Sequence, residues 1–286
     1  NQIAHYISNN YDLSNNRVIV YLDKGANSII AILALLKLGV AYIPINTHSP
    51  LKRVMDIYKD ANPDFILTQD KYAKLFSESK YLSLDDPKTV KLTYQSCNNN
   101  VDNAVKLNDE LYIIYTSGST GMPKGVPQTH YNVSRLFDVT SSVFKFRADD
   151  VWIQFHELSF DFSVWEIYGA RGNGSKLVIA SPEVCRDTIL FCELVEQSKV
   201  TILNQTPLAF NLFVQDAVKN MRVFDSLRLI ILGGDLVNYQ VIKTWMTNYK
   251  YDQPEIYNMY GITEATVHTT YLKLTKEIVE QNFYNE

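Results

Sequence analysis

Little in this chain is reactive, strongly charged or long and greasy. Its 286 residues include three cysteines, Cys97, Cys185 and Cys192. So few, odd in number and without paired metal-ligand spacing, they argue against a disulfide scaffold or a structural zinc and fit a reducing, cytoplasmic setting. Cys185 and Cys192 could share one helix face, but core or surface thiols are the favoured reading. No basic stretch is present, and a net charge of -4 with a pI near 5.8 argues against a nucleic-acid partner. The longest apolar run, Ile29 to Leu36, stops at Lys37, too short for a membrane span. The opening residues do not read as a secretory signal, and no internal repeat is visible. What remains is 46% hydrophobic and 20% charged, enough to bury a real core.

The apolar residues come in short blocks. Arg17 to Leu22, Ala41 to Ile45, Asp64 to Thr68, Val151 to Phe155, Lys176 to Ala180, Val200 to Leu203, Leu229 to Leu232 and Glu255 to Met259 read as strands. Helical patterns lie between them. Asn27 to Leu38 reads as a helix with an Asn cap and Gly39 at its end, Pro50 opens another, and Thr129 to Phe144 and Phe162 to Ala170 are two more. Asn1 to Tyr6 reads as the middle of a helix, and Lys88 to Asn108 as a flexible stretch. Apolar strands of this length separated by helices predict an α/β fold with largely parallel sheets covered on both faces.

One segment dominates. After the apolar run Leu111 to Ile114 comes Tyr115 to Gly125, YTSGSTGMPKG. Glycines, hydroxyls and one lysine give close backbone approach, free N–H groups and a positive charge, which is what gripping a phosphate requires. The spacing is not that of the common nucleotide P-loop, because Gly118 and Gly121 are two residues apart and Lys124 precedes Gly125. A helix is expected after the loop. Ligands of open α/β sheets bind beyond strand C-termini. That rule groups this loop with Gly233-Gly234-Asp235 and Asn258 to Glu264, each expected to follow a strand.

The loop resembles the signature of the adenylate-forming superfamily, in particular the amino-acid adenylation domains of nonribosomal peptide synthetases. LKLGVAYIPIN (Leu36 to Asn46), FDFSVWE (Phe160 to Glu166) and NMYGITE (Asn258 to Glu264) match further family motifs in order. The resemblance runs from about Asn1 to about Leu272. It implies that Thr116, Ser117, Ser119, Thr120 and Lys124, with N–H groups of Gly118 and Gly121, hold ATP phosphates. Gly233, Gly234 and Asp235 lie by the adenine, Tyr260 packs on it and Asn258 sits near its amino group. Thr263 contacts the α-phosphate, Glu264 binds Mg²⁺, and His156 orients the substrate carboxylate. Ile262 replaces the family's usual proline. No Thr-Gly-Asp motif follows Glu264, YGARGNG (Tyr168 to Gly174) departs from a usually apolar stretch, and the family's C-terminal lid is not in the chain. The resemblance therefore implies a partial adenylation domain, its N-terminal portion, over residues 1–286.

Asp161 sits in the otherwise apolar SFDFSVW. A buried carboxylate needs a partner. It reads either as a helix cap for Phe162 onward or, by resemblance, as the ligand of an amino-acid ammonium. The remaining pocket wall carries over as Phe162, Trp165, Asn204, Ile231, Gly233, Met259, Val267 and His268, with Asn204 expected to end its strand. The set resembles that of threonine-activating domains: two large rings leave a small space, Ile231, Met259 and Val267 meet a methyl, and Asn204 and His268 meet a hydroxyl. The implied reaction is formation of threonyl-adenylate from threonine and Mg·ATP. The product would be loaded onto the phosphopantetheine of a peptidyl carrier domain beside a condensation domain. A truncated, non-catalytic relative and an acyl- or aryl-CoA ligase are the competing readings.

Overall fold

Strands and helices alternate as the sequence pattern requires, and they assemble into two six-stranded sheets. The computed structural model describes residues 1–102, 105–118, 121–250 and 253–283. In chain order the elements are α1 (Gln2–Asn10), β1 (Arg17–Val20), α2 (Ala26–Lys37), β2 (Ala41–Pro44), α3 (Leu51–Ala61), β3 (Phe65–Thr68), α4 (Asp70–Ala73), β4 (Tyr81–Ser83), α5 (Pro87–Gln95), β5 (Glu110–Ser117), β6 (Pro123–Thr129), α6 (His130–Phe144), β7 (Val151–Gln154), α7 (Phe162–Gly172), β8 (Lys176–Ile179), α8 (Pro182–Arg186), α9 (Thr188–Gln197), β9 (Ile202–Gln205), α10 (Pro207–Lys219), β10 (Leu229–Leu232), α11 (Tyr239–Asn248), β11 (Glu255–Tyr260), β12 (Thr270–Lys273) and α12 (Lys276–Phe283). The chain divides into two units, Asn1–Arg135 with Glu157–Phe160, and Leu136–His156 with Asp161–Glu286.

The first unit holds a sheet of order β4-β3-β1-β2-β5-β6, parallel except for the β5–β6 hairpin. One face buries Ile19, Ile43, Ile66 and Ile113 against Val54, Ile57 and Ala61 of α3. The second unit holds β12-β11-β10-β9-β7-β8, parallel except for edge strand β12. Strand register gives each of its faces a separate role, because neighbouring side chains on a strand point to opposite sides. Ile153, Leu203, Ile230, Leu232 and Ile256 face a core with Phe210, Phe213 and Trp245 of α10 and α11. The alternate residues Gln154, Asn204, Ile231 and Tyr257 align across the other face.

Helix α7 closes over that second face. Eight of its eleven residues are buried, so it is enclosed nearly all round. Gly169 permits the approach: a Cβ there would lie 2.3 Å from the Trp152 ring of β7. Trp152 is fully buried among Phe146 and Trp165 and has nowhere to retreat. Gly169→Ala is therefore expected to destabilise the fold by about 1–3 kcal/mol through overpacking. Chemical denaturation measures this, and an unchanged midpoint would mean that α7 slides freely over β7.

Several local expectations are corrected. The α2 cap is Gly25, which has no side chain to cap with; instead the Ser28 hydroxyl reaches back to the Gly25 N–H and carbonyl, and Asn27 lies inside the helix. The first part of the stretch expected to be flexible is helix α5, capped by Asp86 through Thr89 N–H. Helix α7 continues through Arg171 and Gly172. Cys185 and Cys192 lie on different helices, α8 and α9, because Asp187 ends one and caps the next.

Candidate functional site

The phosphate-loop segment joins the strands of the β5–β6 hairpin, so β6 comes before the helix expected from Thr129, which is α6. Thr116 pairs with Lys124 and Ser117 with Pro123 in the ladder. The base of the loop is pinned from below. The Tyr115 hydroxyl donates to Asp60 at 2.6 Å, and Arg53 donates to the Tyr115 carbonyl at 3.0 Å. Burial of Tyr115, and then its hydroxyl bond to Asp60, push its phenol pKa up. Gly121 takes φ +81°, the left-handed conformation for which glycine is suited. The N–H groups of Gly118 and Gly121 donate to the Met122 and Gly118 carbonyls, so both are already engaged within the hairpin. Ser117 and Lys124 are exposed and Thr116 is half-buried. Ser119 and Thr120 lie outside the described residues.

The second unit carries the remaining candidates. Strand β10 leads into Gly233, Gly234 and Asp235, and β11 contains Asn258, Met259 and Tyr260. Asn258 is half-buried, whereas Tyr260 is 66% exposed, so its ring is presented at the surface. Thr263 and Glu264 lie on a single helical turn, Thr263–Ala265, with the Glu264 carboxylate exposed.

The pocket wall is assembled by pleat and register. Asn204 lies inside β9, not at its end, directly beside Ile231 of β10. Gly233 and Met259 continue the same face. A Cβ on Gly233 would meet the Met259 carbonyl at 3.1 Å, His268 Cε1 at 3.4 Å and Phe162 Cε1 at 3.5 Å, so three wall residues converge on this glycine. The rings of Phe162 and Trp165 both meet His268 edge-on, at 4.9 and 5.0 Å. Val267 and Thr266 precede His268 with φ of +66° and +65°. Positive φ is costly for branched side chains, about 1–3 kcal/mol each. The His268 N–H closes this tight turn onto the Thr266 carbonyl at 2.7 Å. Strain here holds the imidazole over the wall.

Three polar groups in this wall stand out electrostatically. Asp161 is 6% exposed and heads α7; its side chain makes no standard N-cap bond, and the Phe162 N–H is one of its hydrogen-bond partners. Burial pushes its pKa up against the Thr263 hydroxyl bond and the nearby His156, which pull it down. His268 is driven down to about 3, chiefly by burial and then by His156, so it is neutral at physiological pH. Asn204 Nδ2 and His268 Nε2 are buried with no hydrogen-bond partner among the described residues. Such groups cost about 1–3 kcal/mol apiece when unsatisfied.

Sequence reasoning did not single out Glu166, although an acid inside FSVWEIYG was the available signal. This fully buried carboxylate accepts from His156 Nδ1 at 2.8 Å and from the N–H groups of Phe155 and His156 at 3.1 and 3.2 Å. It thereby fixes the His156 ring, which stacks on Phe162 at 4.3 Å. Glu166→Gln turns one acceptor into a donor facing these donors, and is expected to cost about 1.5–3 kcal/mol of stability. Thermal or chemical unfolding checks this, and native-like stability would show that the carboxylate is dispensable.

Residues 1–283 match the family described as "AMP-binding enzyme". The chain belongs to the AMP-binding enzyme family. It is 39% identical to a dimodular nonribosomal peptide synthase of Bacillus subtilis (strain 168), covering 91% of this chain and 11% of that protein. It is 35% identical to syringomycin synthase SyrB1 of Pseudomonas syringae pv. syringae, over 92% of this chain and 42% of that one. The chain thus spans well under two thirds of either relative. The N-terminal subdomain of Klebsiella oxytoca NpsA, solved with 3-hydroxyanthranilyl-AMSN, superposes with a TM-score of 0.82 at 24% identity, over 97% of this chain and 67% of that one. The fold is that of the adenylate-forming N-terminal subdomain, and the AMP-binding domain is of the nonribosomal peptide synthetase adenylation type. No described helix is long and apolar enough to cross a membrane.

Proposed function

We propose that this chain supplies the N-terminal part of an adenylation domain that activates an amino acid, L-threonine first, with ATP. One observation carries the reading: the buried carboxylate Asp161 heads the helix whose Phe162 and Trp165 meet His268 and Asn204, and Asn204 Nδ2 and His268 Nε2 are buried without a hydrogen-bond partner among the described residues. An ammonium answers the first, and a side-chain hydroxyl answers the other two. Its oxygen accepts from Asn204, and its proton pairs with the neutral His268. Ile231, Met259 and Val267 offer the methyl an apolar surface.

In the reaction a threonine carboxylate oxygen bonds to the α-phosphorus of ATP. The bond from that phosphorus to the pyrophosphate leaving group breaks, giving threonyl-adenylate. The Thr263 hydroxyl, already bonded to Asp161, ties the ammonium subsite to the α-phosphate subsite. Thr116, Ser117, Ser119, Thr120 and Lys124 serve the phosphates, while Gly233, Gly234, Asp235, Asn258 and Tyr260 serve the adenine. Positioning and fixed charge would supply most of the catalysis. No group of three acidic, His or Cys ligands exists among the described residues. The single exposed Glu264 suits Mg²⁺, which keeps its waters and is held by one or two carboxylates plus substrate phosphates. When bound, that ion would neutralise phosphate charge. A carrier-domain phosphopantetheine thiol then takes the acyl group and releases AMP. The test is amino-acid-dependent ATP–pyrophosphate exchange by the natural protein carrying this chain. Exchange driven best by an aryl or fatty acid would refute the assignment.

A further inference from the structure

Asn204 can discriminate a hydroxyl only if its amide faces the right way. An amide has one donor end and one acceptor end, and a flip exchanges them. The Trp165 indole N–H lies 3.0 Å from Asn204 Oδ1, with Asn204 completely buried. An indole nitrogen can only donate, so its partner must be the amide oxygen. The amide nitrogen then diverges from the indole, on the face shared with Ile231, Gly233 and Met259. The indole is itself clamped: it stacks on Phe137 at 5.0 Å and meets Phe144, Phe146 and Trp152 edge-on or tilted. It also touches His268, the other polar member of the wall.

We propose that Trp165 is a positioning residue for side-chain selection, its indole N–H locking the Asn204 amide with the nitrogen toward the substrate. The lock turns a two-way amide into a dedicated donor, and makes discrimination between a hydroxyl and an isosteric methyl depend on a residue usually credited with volume alone. This deepens the threonine reading and rests on it for its consequence in specificity. The hydrogen bond itself does not.

Two measurements test it in the natural protein. The chain has three tryptophans, and Trp152 and Trp245 Nε1 are buried without hydrogen-bond partners among the described residues. In an ¹H–¹⁵N spectrum the Trp165 indole resonance should therefore lie downfield of these two, and Asn204→Leu should move it toward them. A resonance unmoved by Asn204→Leu overturns the proposal. Trp165→Phe keeps a ring but removes the donor. The threonine-over-valine ratio in pyrophosphate exchange should then fall about tenfold, the worth of roughly one hydrogen bond. The threonine-over-serine ratio, which reads methyl packing, should hold. Equal falls in both ratios would assign Trp165 to volume and overturn the proposal, as would no fall in either. If the native protein shows no preference for threonine over valine, the substrate reading fails, and the indole resonance alone decides whether Trp165 locks Asn204.

Discussion

Threonine is expected to drive pyrophosphate exchange best, serine second, and valine as much as ~10⁴-fold below threonine. Valine nearly matches threonine in shape, so packing alone cannot separate them. The difference lies in the two buried polar atoms. With valine bound, Asn204 Nδ2 and His268 Nε2 remain unanswered, and a site built to hydrogen-bond a hydroxyl rejects the analogue lacking it far more strongly than a hydrophobic site rejects a missing methylene. Serine satisfies both atoms and forfeits only contact with Ile231, Met259 and Val267, worth roughly 1–3 kcal/mol. Side-by-side kcat/KM values for the three amino acids make the measurement. Equal use of valine would remove Asn204 and His268 from the recognition of the side chain.

Asp161→Ala is expected to lower amino-acid affinity by about 2–5 kcal/mol, the usual cost of deleting one partner of a desolvated charge pair. ATP binding should survive, because the phosphate-loop segment lies on a different sheet. The direction of the Asp161 pKa adds two consequences. Burial raises it in the free protein. The ammonium binds the carboxylate form, so threonine affinity should hold above that raised pKa and weaken as pH falls through it. Asp161→Asn should abolish this dependence. In the free protein a carboxyl whose folded pKa exceeds its unfolded pKa opposes folding at neutral pH, and the penalty disappears as pH falls below the unfolded value. Asp161→Asn is therefore expected to be at least as heat-stable as the native protein while losing threonine. Calorimetric titration and thermal unfolding across pH separate the two effects. A variant that unfolds yet binds threonine normally in its folded fraction would make Asp161 structural.

The sequence by itself determined the α/β class, the positions of most strands, the family and one anomalous acid, Asp161. Each of these is written locally: apolar blocks of strand length, caps and breakers, a Gly/Ser/Thr loop, a charge among aromatics. Periodicity also placed Ile231 and Met259 in strands, the first with both strand ends right, but set Asn204 just past a strand that in fact contains it. Tertiary structure decided which polar atoms found partners. Trp165 and Asn204 are 39 residues apart, and no local pattern says that one takes the oxygen of the other. Glu166 could be noticed as an acid in an apolar helix, but its three donors come from the end of β7 and the loop beyond. The phosphate-loop segment became a hairpin because Pro123 to Thr129 pairs with β5. Thr266 and Val267, branched residues that avoid positive φ, were forced there to seat His268. The physical reason is common to all of these. Periodicity and capping depend on neighbours in the chain, whereas hydrogen-bond partners, burial and strain depend on which strand lies beside which and in what register.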